Sequence, residues 1–213
     1  MLLTGRIDGA LRYGEPMPAR FSLRTQSSRH SFSGEAFCSL GILQKSIREG
    51  DPEAYIRAQR QALLQMGVDR ELLEKLLSFK EEVELSINNG EGDRTMVMDF
   101  RRTLEEFKQN GAEVETSAEE HVRSGGAYTW MKGARRLVLP DSQFLWHTRT
   151  LTPGHVTQAD KEEDLQLMVP FFEQASEPFR SKFLAAISQD YKGCHEFTTT
   201  GFVLVRAGLA EYR

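Results

Sequence analysis

Residues 82–116 constrain the fold most, because their apolar residues change from the period of a strand to that of a helix and back. In EVELSINN, Val83, Leu85 and Ile87 alternate with polar residues, as in a half-buried β-strand. The next segment has an apolar stripe at helical spacing: Val97, Phe100, Leu104 and Phe107. The short stretch AEVET then predicts a second strand. Strand, helix and strand in this order indicate two parallel strands joined by a crossover helix, and therefore an α/β fold.

The segments before this unit predict strands followed by helices. Residues 2–38 combine short apolar or alternating stretches with turns at glycine and proline. Asp51-Pro52 predicts the start of one helix, and Asp69 predicts the start of another that carries leucines on one face. We interpret residues 40–80 as a helical insertion within a single domain that spans residues 1–213.

The segments after the unit predict further short strands and helices. RRLVLPDSQFLWH indicates two strands joined at Pro140-Asp141. Residues 157–188 indicate helical structure that begins at Thr157 and is interrupted near Pro178. The last segment, FTTTGFVLVRAGLAEY, predicts a short helix followed by a closing loop.

The composition is that of an ordinary globular protein, and it narrows the classes of partner. The chain is 39% hydrophobic and 27% charged, and its formal net charge of −4 argues against sequence-independent binding of nucleic acid or of an anionic membrane surface. The two cysteines, Cys38 and Cys194, form neither a disulfide framework nor a CxxC metal pair. With no signal-peptide pattern and no apolar run of membrane-spanning length, we expect a cytoplasmic protein without metal or other cofactors.

Three features of the α/β part are candidates for nucleophilic catalysis. A glycine-containing loop at residues 88–92 follows a strand, Ser124 precedes two glycines at the start of a helix, and His147 ends a strand. A neutral serine hydroxyl is a poor nucleophile, so an imidazole must accept its proton and backbone N–H groups must stabilise the oxyanion. The same residues have an interpretation without chemistry, in which Ser124 caps the helix and His147 is structural.

The succession INNGEGD, SGGA and GARRLVLPDSQFLWH resembles the proteolytic subunit of the Clp protease and its relatives in the crotonase-like superfamily. That family has a glycine-rich strand-loop, a nucleophile turn of the form SxGA and a pair of strands that ends in the catalytic base. The similarity is closest from Arg136 to His147, where Pro140 and Ser142 also stand at the family's positions. It extends over residues 82–213 and includes a loosely similar closing stretch.

This resemblance implies a fold of stacked β-β-α units that form a superhelix, here with an added helical segment. It implies Ser124 as the nucleophile and His147 as the general base. The backbone N–H groups of Gly92 and Gly125 would be the oxyanion donors. The implied activity is serine-type hydrolysis of peptide bonds, with peptides or unfolded proteins as substrates.

The third residue of the triad is less directly implied. Counting back from Gly208-Leu209 in the closing stretch places Glu196 in the position of the family's aspartate. Asp190 has the family's residue type at a different spacing and is the alternative. The chain also departs from the family pattern at Arg123, before the nucleophile, and at Glu91, whose carboxylate beside the oxyanion loop would oppose catalysis.

Relatives of this kind assemble into rings, with the long helix after the base packing between subunits. Residues 157–188 therefore predict a homo-oligomer or a pairing with a paralogue, to which an ATPase partner could bind. Two other functions stay open. Arg123 and Glu91 favour a catalytically inactive scaffold of the same fold. The second of these functions is that of an acyl-CoA enzyme of the crotonase type, although the sequence has no clear motif for binding adenine or phosphate.

Overall fold

The computed structural model describes most of the chain, namely residues 1–12, 15, 17–24, 29–49, 63, 68, 70–77, 82–88, 92–148, 157–191 and 196–213. The helix predicted to begin at Asp51 lies outside these residues, apart from the helical Leu63. Glu91 also lies outside them. The described elements form a mixed α/β structure, which confirms the predicted fold class at that level.

A seven-stranded mixed sheet is the centre of the fold, with the strand order β10-β7-β5-β4-β1-β2-β3. Its first five strands in this order pair in parallel, and β1, β2 and β3 pair antiparallel at the other edge. The predicted strand–helix–strand unit contributes the parallel neighbours β4 and β5. The strands are β1 (Leu2–Asp8), β2 (Ala19–Arg24), β3 (Arg29–Ser33), β4 (Glu82–Asn88), β5 (Glu113–Ala118), β7 (Arg135–Val138) and β10 (Glu211–Tyr212).

A second sheet of three strands has the order β6-β8-β9, with β6 at His121–Arg123, β8 at Gln143–Trp146 and β9 at Phe197–Thr200. The two strands predicted on either side of Pro140-Asp141 both form, but β7 belongs to the large sheet and β8 to the small one. Ser142 stabilises this corner, because its hydroxyl accepts from the Leu139 N–H at 3.0 Å and donates to the Ala118 carbonyl at 3.3 Å.

Helix α1 (Gly34–Glu49) was not predicted, and its first residues lie in the stretch predicted to form strands and turns. The other described helices lie where the sequence predicts them. In the crossover helix α3, the whole predicted apolar stripe is buried, and the helix ends at Asn110 as expected. The predicted helical region 157–188 forms two helices, the first of which has a capping box at Thr157. The helices are α1 (Gly34–Glu49), α2 (Arg70–Leu77), α3 (Arg94–Gln109), α4 (Gly125–Trp130), α5 (Gln158–Phe172), α6 (Phe179–Tyr191) and α7 (Gly201–Arg206).

The closing segment differs from its prediction. It contains the expected short helix α7, but strands β9 and β10 stand on either side of that helix. β9 pairs with β8, and the two residues of β10 pair with β7. Strand β10 has only two residues, which are too few to show the period of a strand in the sequence. Its pairing depends on a partner strand about seventy residues earlier in the chain, which the local sequence does not indicate. No helix in the described ranges is long and apolar enough to cross a membrane.

Two aromatic clusters fill the core on different parts of the fold. The first joins Phe21 of β2 to helices α1 and α3, with its ring 3.9 Å from that of Phe37. The second surrounds Trp146 at the end of β8 and includes Phe144, Phe171 and Phe172. The second cluster holds the end of β8 against helix α5, and so fixes the backbone that leads into His147.

Candidate active site

Ser124 lies at a sharp turn between strand β6 and helix α4. Its backbone has φ 45° and ψ −111°, and it is the only non-glycine residue with positive φ among those that the structure describes. The strand side is held by a hydrogen bond from the Ser124 N–H to the Leu145 carbonyl, at 3.0 Å. The helix side is held by one from the Tyr128 N–H to the Ser124 carbonyl, also at 3.0 Å. Hydrogen bonds on both sides therefore maintain a backbone conformation that is unfavourable for any residue other than glycine.

Helix capping does not account for the serine at this position. Ser124 occupies the N-cap of α4, but its hydroxyl makes no capping hydrogen bond. At the starts of α5 and α7, by contrast, Thr157 and Thr200 do accept a backbone N–H with a side-chain oxygen, and both have extended backbones. A hydroxyl on a strained strand-to-helix turn is instead the arrangement of a nucleophile elbow, where the turn presents the oxygen to a substrate.

A small cavity of about 90 Å³ lies beside this turn. It brings together Ser124, Gly125 and Gly92, which are three of the five residues predicted for the site. Its apolar walls include Val97 of α3 and Tyr128 of α4. The cavity thus joins the predicted nucleophile to both predicted oxyanion loops.

Gly92 occupies a position that admits no side chain. A Cβ atom placed there would lie 2.5 Å from the Leu11 carbonyl oxygen and 2.6 Å from the Leu11 Cβ. The neighbouring N–H of Asp93 donates to that carbonyl at 2.6 Å, which holds Gly92 and Asp93 against Leu11. Glycine is therefore required for the close approach of the two backbone segments at the cavity wall.

His147 directly follows strand β8 and is half-buried. The Tyr128 hydroxyl donates to its backbone carbonyl at 2.7 Å, which connects it to the wall of the Ser124 cavity. Its ring Nδ1 lies 2.9 Å from the Thr148 carbonyl oxygen. A carbonyl oxygen only accepts, so Nδ1 carries the proton and Nε2 is the basic nitrogen of the neutral ring.

The structure does not show the hydrogen bond expected between the predicted base, His147, and the predicted nucleophile, Ser124. In the part of the chain that it describes, no hydrogen bond joins the Ser124 hydroxyl to the His147 ring. Ser124 nevertheless follows directly after β6 and His147 directly after β8. These two strands are paired, with Arg123 of β6 opposite Leu145 of β8. Catalytic hydrogen bonds of unliganded enzymes are often long and form only when substrate binds.

The two candidate acids differ in their surroundings. The Asp190 carboxylate is buried and accepts the Thr148 N–H at 2.6 Å. Glu196 is exposed and precedes β9, whose register pairs Phe197 with Trp146. Continuing that antiparallel register by one residue places Glu196 opposite His147, where their side chains would share one face of the sheet.

The sequence matches no protein-family model and no curated protein sequence. Within the described ranges, no three His, Cys, Asp or Glu side chains are grouped so that they could hold a metal ion.

Tyr128 is a site residue that sequence reasoning missed. It lines the Ser124 cavity and donates to the His147 carbonyl, so it connects the predicted nucleophile to the residue predicted as base. A signal for it was present, because residues four apart on a helix lie on the same face. Ser124 is the N-cap of the six-residue helix α4, and Tyr128 lies four residues after it, within that helix.

The backbone conformation of Ser124 predicts an unusual order of stability. We expect Ser124→Gly to be more stable to unfolding than Ser124→Ala by about 1 kcal/mol, because glycine adopts positive φ without strain. At Ser188, which is exposed within helix α6, the order should be reversed by about 1 kcal/mol. Urea unfolding of the four variants measures both differences. An alanine variant at position 124 as stable as the glycine variant would contradict the strained turn.

Proposed function

We propose that this protein is a serine-type peptidase with a Clp/crotonase-like fold, which hydrolyses peptides or unfolded proteins as an oligomer in the cytoplasm. The observation that carries this proposal is the positive φ of Ser124 at a strand-to-helix turn beside a cavity. Backbone strain of this kind persists where the surrounding structure enforces it, and it is concentrated at active sites. The similarity to the Clp motifs supports the same residue.

In the proposed mechanism, the Ser124 oxygen attacks the peptide carbonyl while His147 Nε2 accepts the hydroxyl proton. The carbonyl oxygen becomes an oxyanion, which the N–H groups of Gly125 and Gly92 stabilise. The C–N bond then breaks as His147 returns the proton to the leaving amine, which leaves an acyl ester on Ser124. Water, deprotonated by His147, hydrolyses this ester and restores the serine. Rotation of the His147 side chain from the Thr148 carbonyl toward Ser124 precedes the first step.

The two acids have different roles in this proposal. Glu196 orients the imidazole through its protonated nitrogen once the ring has rotated, which is supported by the β8–β9 register: continued by one residue, it would bring the two side chains to the same face. Asp190 positions the chain after β8, because its buried carboxylate already holds the Thr148 N–H. Asp190 is therefore a positioning residue, and Glu196 completes the triad.

These roles predict different effects of removing each negative charge. We expect Glu196→Gln to lower kcat by about 10²-fold or more with little loss of stability, because the imidazolium loses its counter-charge. Asp190→Asn should mainly lower the free energy of unfolding, since it weakens a buried hydrogen bond to a charged acceptor. Peptidase assays over a range of pH, with urea unfolding of both variants, separate the two. A larger loss of kcat in Asp190→Asn than in Glu196→Gln would reverse the assignment.

Labelling the wild-type protein with a fluorophosphonate tests the proposal. The activated serine oxygen displaces fluoride from phosphorus, so each labelled chain gains one phosphonyl group. We expect a single adduct on the tryptic peptide SGGAYTWMK, which begins at Ser124. An oligomeric, folded sample that takes up no label, or takes it up on another peptide, would contradict the proposal.

A catalytically inactive scaffold of the same fold is the second candidate. The absence of a hydrogen bond between the Ser124 hydroxyl and the His147 ring favours it, as does the exposed charge of Arg123 next to Ser124. In that case helices α5 and α6 would serve assembly, and no labelling would occur. No specific observation at the Ser124 cavity favours the acyl-CoA alternative.

A further inference from the structure

A second, larger cavity of about 380 Å³ lies between helix α3, the turn after helix α4, and helix α5. Its lining shares only Leu167 with the cavity beside Ser124. Four of its described lining residues are cationic and none is acidic: Arg101, Lys108, Lys132 and Arg136. This excess of positive charge stands in a chain whose formal net charge is −4. It therefore arises from local arrangement and not from overall composition.

Arg101 is the most deeply buried of these cations, at 5% exposure. Its guanidinium donates to the carbonyl oxygen of Tyr128, and in the described part of the chain it forms no hydrogen bond to a carboxylate. Burial lowers the pKa of Arg101 to about 10, while Tyr128, Glu105 and Asp164 act through space in the opposite direction. Arg101 thus stays charged at neutral pH, although it is held by a backbone carbonyl and not by a hydrogen-bonded carboxylate.

Arg136 is held in a similar way by carbonyl oxygens. Its Nε donates to the Leu209 carbonyl at 2.8 Å and its Nη1 to the Gly133 carbonyl at 3.1 Å. Its Cζ lies 5.3 Å from the centre of the Phe171 ring, which is another wall of the cavity. These contacts fix the guanidinium in place without neutralising it. A fixed, charged guanidinium is preorganised to bind an anion.

The two lysines share a single carboxylate. Lys132 Nζ lies 3.1 Å and Lys108 Nζ 3.7 Å from the same Glu105 oxygen, which belongs to a partly exposed side chain. Glu105 is therefore the carboxylate that both lysines share, and Asp164 is a second acid that acts on Arg101 through space, so the four cations still outnumber these acids. The positive potential that remains favours an anion that carries more than one charge.

We infer that this cavity binds a small phosphate-bearing ligand. Two guanidinium groups and two ammonium groups match the charge and the several acceptor oxygens of a phosphate better than those of one carboxylate. The volume exceeds that of a simple anion, and apolar side chains such as Phe171 and Leu167 offer contact to an organic part of the ligand. The inference is independent of peptidase activity.

The site is also coupled to the Ser124 turn by one hydrogen bond. Arg101 holds the carbonyl of Tyr128, and Tyr128 lines the Ser124 cavity and holds the His147 carbonyl. A ligand that attracts the Arg101 guanidinium would therefore act on helix α4, which carries Ser124 at its start.

Isothermal titration with inorganic pyrophosphate tests the inference, at an ionic strength held constant with sodium chloride. We expect saturable binding at one site. Lys132→Gln and Arg136→Gln should each weaken it by about tenfold or more, because each removes a charged contact. Lys182→Gln, an exposed change of the same charge on helix α6, should alter affinity by no more than about twofold because it lies outside the cavity lining.

Circular dichroism and thermal unfolding confirm that each variant is folded before titration. Absence of saturable heat in the wild-type protein would overturn the inference. Equal weakening by Lys132→Gln and Lys182→Gln would overturn it as well, since binding would then follow net charge alone. Citrate binding as tight as pyrophosphate binding at the same ionic strength would overturn the assignment to phosphate.

Discussion

Ser124→Ala is expected to abolish fluorophosphonate labelling and to lower kcat/KM for peptide hydrolysis by at least about 10³-fold. The alanine variant keeps the turn between β6 and α4 but has no oxygen to attack either the substrate or the probe. Binding and the oxyanion donors would remain, so any residual hydrolysis should no longer depend on His147. Intact mass after labelling and a fluorogenic peptide assay measure the two losses.

Ser188→Ala is the matched control for this prediction. Ser188 is exposed on helix α6, and its replacement by alanine removes the same hydroxyl without touching the Ser124 cavity. It should label and hydrolyse like the wild-type protein. Peptidase activity that survives unchanged in a folded Ser124→Ala sample would reject Ser124 as the nucleophile.

Trp146→Ala is expected to lower the free energy of unfolding by about 3–5 kcal/mol, because it leaves a large cavity in the core. Trp146 is 1% exposed, and its ring lies 5.0 Å from that of Phe172 and 5.5 Å from that of Phe144. Its Nε1 donates to the Thr199 hydroxyl at 2.8 Å, which joins β8 to β9. The substitution therefore removes packing and a hydrogen bond between two strands at once. Urea unfolding measures the loss.

Two variants calibrate this loss. Trp146→Phe keeps most of the ring contacts and should cost less than Trp146→Ala, though it loses the hydrogen bond to Thr199. Phe202→Ala removes an aromatic ring that is 50% exposed and should cost no more than about 1 kcal/mol. A Trp146→Ala loss as small as that of Phe202→Ala would show that the aromatic cluster around β8 does not stabilise the fold.

The periodicity of the sequence was sufficient for the central elements. The alternation of Val83, Leu85 and Ile87 and the helical stripe that begins at Val97 predicted β4 and α3, and all these side chains are buried. The sequence also predicted that α5 begins at Thr157. The capping box found there joins two residues only three positions apart in the sequence. These features depend on neighbours in the sequence, so no knowledge of distant contacts was needed.

The sequence did not predict which strands belong to which sheet. RRLVLPDSQFLWH predicted two strands, but nothing in it indicates that β7 pairs with β5 while β8 pairs with β6 and β9. Pairing depends on which strand edges are brought together by the rest of the chain. For the same reason, counting along the sequence could name Glu196 and Asp190 as candidate acids but could not show their different surroundings.

The sequence by itself therefore determined the α/β class, the parallel unit at its centre and the presence of a serine before two glycines at the start of a helix. Only the tertiary structure decided that Ser124 adopts positive φ beside Gly92, and that four cations line one cavity. The physical reason is the range of the interactions. Hydrophobic period and capping act over a few residues, whereas turn strain, cavity shape and local charge are set by contacts between distant segments.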